Sequence, residues 1–272
     1  MTNYGPLPMV TAIVATYDKH DRLLPRSLAS IKAQEFQPEE VLIVNDGPPT
    51  DECVSIVEEF AKAYPYSVQL LNSSEKTGYY TQPRNLATAI AQGHYIANLD
   101  ADNEWTPIHL SGLLAALRTA HPKNGWSHFA YGRRRYVSDE GAPPNLPNGL
   151  NMFSPWDERR GYLDRGPMAN FVDSSEFIIG RGTLMYLAAM TGFVWDAGLR
   201  RFGDYDLIFR LDKIGVRGLA VDQVSSIYHW DADNVQHTRK VERITDHVMI
   251  SPDDYKVIQR AKEKGEDIDL ID

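Results

Sequence analysis

Two aspartates stand two positions apart in the stretch ANLDADNEW, residues 97–105. They are Asp100 and Asp102, and they directly follow the short apolar run HYIANL. In an extended chain such side chains point to the same side, so both carboxylates can face one ligand. Carboxylate oxygens suit Mg²⁺ or Mn²⁺, ions that keep coordination positions open for substrate phosphates. A turn explains the same residues, and without further context it is the better explanation.

Two other polar residues stand at the ends of predicted elements. Asp46 follows the apolar run VLIVN, where its carboxylate can accept an N–H from the edge of a nucleobase. The alternative is a turn residue before Gly47, which alone is the better explanation. Arg84 opens a predicted helix, whose N-terminus attracts phosphate, and its guanidinium adds a fork of donors. A surface arginine explains it equally well.

Asp204 lies in the segment RRFGDYDLIFRLDKIG and shares a helical spacing of i, i+3, i+4 and i+7 with three apolar residues. Those residues are Leu207, Ile208 and Leu211. The spacing places Asp204 on the inward stripe of a helix over residues 203–213. It fits a positioned general base and an acid at a helix start about equally well.

His229 ends the strand-like segment SSIYH. A lone histidine at the end of an apolar strand is most often a buried structural residue. Imidazole is also a good Mn²⁺ ligand, so the metal interpretation gains if the fold brings His229 close to Asp102.

Strands and helices alternate strictly in the first half of the chain. The runs VTAIVA, EEVLIVND, YSVQLLN and HYIANL predict buried strands, with amphipathic helices between them. Strands that are apolar throughout are typical of a parallel sheet covered on both faces. Ligands of such sheets bind at the carboxyl ends of the strands, where Asp46, Asp100 and Asp102 stand. This position favours a ligand site over a simple turn at the two aspartates.

The second half of the chain is less regular. Its segment 139–167 is rich in Pro, Gly and Asn and is long for a loop of a compact domain. The elements predicted around it are a helix over 107–118, strands over 126–137 and 176–180, helices near 182–190 and over 203–213, strands near 216–221 and 225–230, and a charged helix from about residue 252.

Composition narrows the classes of function. The 272 residues, 43% hydrophobic and 24% charged, fit one large domain or one domain with an extension. A net charge of −9 disfavours binding to a nucleic-acid backbone. The single cysteine, Cys53, excludes an intrachain disulfide. With no signal peptide and no transmembrane segment apparent, we expect a cytoplasmic protein, although peripheral membrane attachment stays open.

Several well-known motifs are absent. The sequence has no G-x-G-x-x-G after its first strand, no P-loop, no H-E-x-x-H and no G-x-S-x-G; the first turn reads ATYDKHDR. This argues against dinucleotide binding, P-loop NTP hydrolysis, zinc proteolysis and serine hydrolysis.

Taken together, the segments resemble the family 2 glycosyltransferases of the GT-A fold. The likeness is in IVATYDKHDRLLPRSLASIKAQ, EEVLIVNDG, GYYTQPRNLATAI, YIANLDADN, VWDAGLRRFGDYDLIFRL and IYH, whose order and spacing make the set specific. The resemblance implies an α/β GT-A domain over residues 1–230, with a mostly parallel central sheet flanked by helices. Residues 9–105 would bind the nucleotide and 106–230 the acceptor. A partly helical C-terminal extension would occupy 231–272.

The resemblance also implies a reaction: inverting transfer of a sugar from a nucleoside-diphosphate sugar, most often UDP-linked, to an acceptor hydroxyl. Asp46 would bind the base, Arg84 would border the diphosphate, and Asp204 would be the general base. The other implied roles are Thr16, Tyr17 and Asp18 lining the nucleotide pocket, Asp100 facing the ribose or the metal, Asp102 holding Mn²⁺ or Mg²⁺, and His229 completing the metal or diphosphate site.

Two positions depart from the family pattern. Gly203 stands where a second acid often precedes the base, which leaves Asp204 as the base. Asn45 stands where a double acid is commoner and blurs the expected recognition of the nucleobase.

The sequence leaves the acceptor and two other functions open. A sugar-phosphate nucleotidyltransferase would normally carry a Gly-rich phosphate loop after the first strand, and a non-catalytic sugar-nucleotide or glycan-binding protein is the other alternative. The acceptor would be a saccharide, a glycolipid or a protein. We expect segment 139–167 to form an acceptor loop or lid, unless it is a disordered insertion, and Trp156, Tyr162 and Trp195 to contact the acceptor.

Overall fold

The structure is a computed structural model, and it describes residues 10–18, 20–79, 81–119, 128–138, 151–152, 184–188, 195–198, 204, 207, 210 and 218–230. The strands and helices of this part of the chain are, in order, β1 (Val10–Thr16), α1 (His20–Lys32), β2 (Glu40–Asn45), α2 (Asp51–Ala63), β3 (Ser67–Asn72), α3 (Thr81–Ile90), β4 (Tyr95–Asp100), β5 (Asn103–Trp105), α4 (His109–Thr119), β6 (Phe129–Ser138), β7 (Asn151–Met152), β8 (Leu184–Leu187) and β9 (Gly218–Trp230).

The first half forms the predicted α/β unit. Strands β3, β2, β1 and β4 lie side by side in that order, and every neighbouring pair is parallel. Ala15 of β1 is in register with Val44 of β2 on one side and with Asp100 of β4 on the other. The carboxyl ends of three strands therefore meet at one edge, with Asp46 and Asp100 on either side of β1.

The helices of this half form because each presents an apolar stripe to the sheet. Leu24, Leu28 and Ile31 of α1 are spaced for one helical face and are at most 2% exposed. Helix α2 begins at an N-cap, where the Thr50 hydroxyl accepts a hydrogen bond from the Cys53 N–H at 3.2 Å. These helices and the buried β1 and β2 make the core beneath the polar edge.

The second half corrects the expectation of a mostly parallel sheet. Strand β8 is antiparallel to both β4 and β6, and β5 is antiparallel to β9, whereas β6 and β9 are parallel. The full order is β3-β2-β1-β4-β8-β6-β9-β5, with β7 added beside β6. The α/β class and the alternation of strands and helices are confirmed, and the parallel arrangement belongs to the first half.

The helix predicted near residues 182–190 is wrong at its centre, because Leu184–Leu187 is strand β8. This segment hydrogen-bonds to β4 on one side and to β6 on the other, and such long-range pairing outweighs local helical preference. The two strands predicted near 216–221 and 225–230 are one strand, β9. Register shifts between β6 and β9 at Tyr131–Arg134 bend this long pair.

Several predicted elements lie outside the described residues. They are the strand at 176–180, the charged tail and most of segment 139–167. Of the predicted helix at 203–213, the structure describes positions 204, 207 and 210, and all three are helical. No helix in the described part of the chain is long and apolar enough to cross a membrane.

Side chains in the last turns of α1 and just beyond its end hold the segment that follows the two aspartates. The Ser30 hydroxyl accepts a hydrogen bond from the Trp105 N–H at 3.1 Å. Gln34 donates to the Thr106 carbonyl at 2.8 Å and accepts from the Leu110 N–H at 3.1 Å, so it also satisfies an end of α4. The chain from β5 into α4 is therefore fixed to the C-terminal end of α1 and the residues just after it.

His109, in the first turn of α4, is fully buried and stacks on Trp105, with the ring centroids 4.5 Å apart. Burial disfavours the charged imidazolium and lowers the pKa of His109 from 6.5 to about 3. The folded protein therefore holds this histidine neutral over a pH range in which the unfolded chain protonates it.

We predict that acid destabilises the protein through His109. Below pH 6.5 the unfolded chain binds a proton that the folded protein excludes, so stability is lost as the pH falls toward about 3. The loss is at most about 1.4 kcal/mol per pH unit for one such group. Urea unfolding of wild type and His109→Phe at pH 7, 6, 5 and 4 measures it. The variant should show a shallower decline; parallel curves would contradict the assignment.

Candidate active site

A buried ion pair stands at the carboxyl end of β4. Arg84 of α3 is 1% exposed, and its guanidinium donates to Oδ1 of Asp100. Oδ2 of Asp100 accepts from the Asn103 amide at 3.4 Å. Arg84 thus fixes the direction of the Asp100 carboxylate. The sequence had led us to expect an open guanidinium that could bind a diphosphate. In this arrangement the Arg84 guanidinium is buried and bonded to Asp100 instead.

Strand pairing brings the turn that carries Asp102 close to the end of β9. Asn103, the first residue of β5, is in antiparallel register with Tyr228 of β9, the residue before His229. The His229 N–H also donates to the Asn103 side-chain oxygen at 3.2 Å, which holds the end of β9 against this turn.

The His229 ring has a partner that the sequence analysis did not single out. Its Nε2 contacts Oε1 of Glu104, the residue after Asn103 in β5. The same Glu104 oxygen lies 3.9 Å from Nε of Arg26 in α1. Only the short spacing D-x-E in the motif DADNE could have pointed to Glu104, and that spacing is too common to be specific.

The polar side chains here can supply part of the coordination shell of a divalent ion, and substrate oxygens would complete that shell. Within the described ranges, no three His, Cys, Asp or Glu side chains are grouped as a ready metal cage. Mg²⁺ in nucleotide sites is usually held by one or two carboxylates together with phosphate oxygens and water. The Asp102 carboxylate, in the turn before β5, and the His229 imidazole, near the end of β9, are suitable ligands for Mn²⁺.

Asp46 binds the loop that follows β3. Its Oδ1 accepts from the Thr77 N–H at 2.9 Å and from the Thr77 hydroxyl at 2.8 Å, and its Oδ2 accepts from the Gly78 N–H at 2.8 Å. Gly78 has a φ of 72°, a backbone angle that glycine adopts readily. The structure therefore gives Asp46 a loop-anchoring role, which is closer to the turn interpretation than to direct base recognition.

Hydrogen bonds in this turn explain why residue 45 is an asparagine and not an acid. Its amide nitrogen donates to the carbonyls of Gly47 at 3.1 Å and Pro48 at 2.9 Å and to Oδ1 of Asn72 at 3.1 Å. Its Oδ1 lies 3.0 Å from Nε2 of His20. An aspartate at this position would have no hydrogen to donate to these three oxygens.

The predicted nucleotide-pocket residues after β1 divide into a buried one and two exposed ones. Thr16 is 2% exposed, and its carbonyl accepts from the Asp46 N–H at 2.9 Å. Tyr17 is 42% exposed, and Asp18 has a φ of 27°, a strained value for a residue other than glycine. Lys76 contacts the Asp18 carboxylate and lies 5.6 Å from the centre of the Tyr17 ring. Sequence analysis missed Lys76, which joins this surface from the loop that Asp46 anchors.

Asp204 is 8% exposed and Leu207 is 3% exposed, as the predicted inward stripe requires. Trp195 is 1% exposed, and its backbone N–H and carbonyl exchange hydrogen bonds of 2.9 and 2.7 Å with the side chain of Asn85. That burial leaves the Trp195 ring no surface for an acceptor and explains the residue as a structural one. Trp156 and Tyr162 lie outside the described residues.

Solved structures of glycosyltransferases share this fold. S. aureus TarS 1–349 in complex with UDP matches with a TM-score of 0.58 and 18% identity, over 82% of this chain and 61% of that chain. Its complex with UDP-GlcNAc gives 0.60 over 96% and 68%. Mannosyltransferase PcManGT from Pyrobaculum calidifontis, in complex with GDP-Man and Mn²⁺, gives 0.58 at 18% identity over 85% and 59%. The fold is that of the GT-A glycosyltransferases, and the chain spans about 60% of the TarS–UDP and mannosyltransferase chains.

Sequence comparison identifies the family. The model for glycosyl transferase family 2 matches residues 11–169, more than half of the chain. An Escherichia coli protein assigned to colanic acid biosynthesis as glycosyl transferase WcaA is 24% identical over 247 residues, which are 88% of this chain and 78% of that protein. The chain belongs to glycosyl transferase family 2, and the resemblance drawn from its motifs is confirmed.

We predict that Asp100→Asn destabilises the protein strongly. The amide leaves the buried Arg84 guanidinium without its counter-charge, and breaking a buried pair from one side costs about 3–5 kcal/mol. The matched control is Asp18→Asn, which removes one partner of the exposed Lys76 pair and should cost less than about 1 kcal/mol. Chemical denaturation of both variants measures the difference; equal losses would refute the distinction.

Proposed function

We propose that the chain transfers a sugar from a UDP-sugar to an acceptor hydroxyl with inversion at the anomeric carbon, assisted by Mn²⁺ or Mg²⁺. The single observation that carries the proposal is the arrangement at the end of β4. There Arg84 orients Asp100, and the β5–β9 pairing holds the turn of Asp102 beside the end of β9 that carries His229. Acidic groups of this kind at the carboxyl ends of parallel strands suit a nucleoside diphosphate with its metal ion.

The proposed chemistry needs two acidic positions with separate tasks. Asp102 and His229 would hold the divalent ion, which neutralises charge that develops on the leaving diphosphate. Asp204 would take the proton from the acceptor hydroxyl as that oxygen attacks. Its low exposure on a helix turned toward the interior is consistent with a base shielded from bulk water.

The donor in this proposal carries uridine. The structures of TarS with UDP and with UDP-GlcNAc favour a uridine donor, whereas the mannosyltransferase was solved with GDP-Man. Tyr17, Asp18 and Lys76 form the exposed surface beside Thr16 and Asp46 where the nucleoside would lie. A cytoplasmic location and a saccharide, glycolipid or protein acceptor remain part of the proposal.

Membership of glycosyl transferase family 2 gives less support to the two alternative functions, a nucleotidyltransferase and a non-catalytic binding protein. A nucleotidyltransferase would use a Gly-rich phosphate loop after β1, and the segment there reads ATYDKHDR. Incubation with UDP-sugars tests the proposal: slow release of UDP in the presence of Mn²⁺ supports it. Pyrophosphate chemistry with UTP would instead identify a nucleotidyltransferase, and binding of UDP-sugar without either reaction would indicate a binding protein.

We predict that Asp204→Asn abolishes transfer and keeps donor binding. Loss of a general base lowers kcat by about 10²–10⁴-fold. UDP release with acceptor measures kcat, and calorimetry with UDP measures donor binding. Asp206→Asn is the matched control, because its spacing puts it off the inward stripe. Normal turnover by Asp204→Asn would show that another group is the base.

We predict that Asp102→Ala removes the metal-dependent part of UDP binding. Wild-type protein should bind UDP more tightly with Mn²⁺ than with EDTA, and the variant should bind equally under both conditions. Calorimetry measures both affinities, and Glu59→Ala, an exposed carboxylate change on α2, is the control. A wild-type affinity that is the same with and without Mn²⁺ would remove the metal from the proposal.

A further inference from the structure

Glu104 is the acid of the DADNE motif to which no role has been given. It follows Asn103 in β5, and its carboxylate contacts the His229 ring. We propose that Glu104 is a positioning residue that sets the orientation and tautomer of His229 for the divalent ion. This inference rests on the proposed metal-assisted function and assigns a residue to it.

The strand register puts Glu104 and His229 on one face. Glu104 is directly opposite Ile227 in the antiparallel β5–β9 pair. Residues two apart on a strand share a face, so Ile227 and His229 lie on the same side of the sheet as Glu104. Glu104 is the diagonal neighbour of His229, within the reach of a long side chain.

The contact selects one nitrogen of the imidazole for the metal. A carboxylate only accepts hydrogen bonds, so the Nε2 atom that faces Glu104 bears the hydrogen. Nδ1 then has the lone pair and is the nitrogen that can bind an ion. Metal-ligating histidines commonly donate their other N–H to a carboxylate in this way, which fixes the ring and raises its basicity.

A purely structural bridge is the competing explanation, because Arg26 also approaches Glu104 at 3.9 Å. The side chains of Glu104 and His229 are 30% and 22% exposed, and that of Arg26 is 34% exposed. Ion pairs so open to water contribute little to stability. Holding the His229 ring in place is therefore the stronger explanation for the contact.

The test measures Mn²⁺ affinity at saturating UDP, with free Mn²⁺ detected by electron paramagnetic resonance. Glu104→Ala should weaken Mn²⁺ binding about 10–100-fold, the usual effect of removing the carboxylate behind a metal-bound histidine. Glu104→Gln, which keeps an oxygen acceptor for Nε2–H, should recover part of that loss. The double variant Glu104→Ala/His229→Ala should bind no more weakly than His229→Ala alone, because Glu104 acts through His229.

Two further measurements separate positioning from bridging. Nitrogen-15 NMR of the metal-free protein should show hydrogen on Nε2 of His229 in the wild type and a tautomer mixture in Glu104→Ala. Arg26→Gln removes the third member of the bridge and should leave Mn²⁺ affinity unchanged.

The outcomes distinguish this inference from the function on which it rests. Wild-type protein that binds no Mn²⁺ with UDP overturns the metal-assisted function and this inference together. Wild-type binding that Glu104→Ala and Glu104→Gln leave unchanged overturns the inference alone. Additive losses in the double variant, or a loss in Arg26→Gln as large as that in Glu104→Ala, would overturn it as well.

Discussion

A buried ion pair between Arg84 and Asp100 joins helix α3 to the carboxyl end of β4, and the geometry of the candidate site depends on it. A guanidinium that is 1% exposed must keep a counter-charge, so the carboxylate at the end of β4 has a fixed direction. The neighbouring residue of α3, Asn85, holds the backbone of Trp195 from the second half of the chain. The first turn of one helix thereby ties the first half of the chain to the second half.

The sequence predicted those parts of the fold that depend on local patterning. Four apolar runs separated by amphipathic helices imply a parallel sheet, and the sheet forms with β1 in its centre. The inward position of Asp204 followed from a spacing of 3.6 residues per turn, and its low exposure agrees. Periodicity failed at β8, because that segment is a strand only by virtue of its partners β4 and β6.

The side-chain partners were harder to predict than the backbone. From the sequence, Arg84 is predicted to bind phosphate. Nothing in the sequence reveals that the carboxylate of Asp100, sixteen positions away, pairs with its guanidinium. Glu104 and Lys76 lie in strand and loop segments whose partners, His229 and Asp18, are distant in sequence. These contacts depend on strand register and on the Asp46-anchored loop, which a single sequence specifies only through the complete fold.

The placement of β5 has a consequence for the flexibility of the candidate site. This strand has three residues, stands last in the sheet order and, among the described strands, pairs with β9 alone. The part of the site around Asp46 and Asp100 is built on central strands bonded on both sides. Amide hydrogens beside β1 and β2 should therefore exchange slowly and those of β5 faster. The candidate site thus joins strands that are bonded on both sides to a margin at β5 that opens more easily, and this margin is the part that can adjust to a ligand.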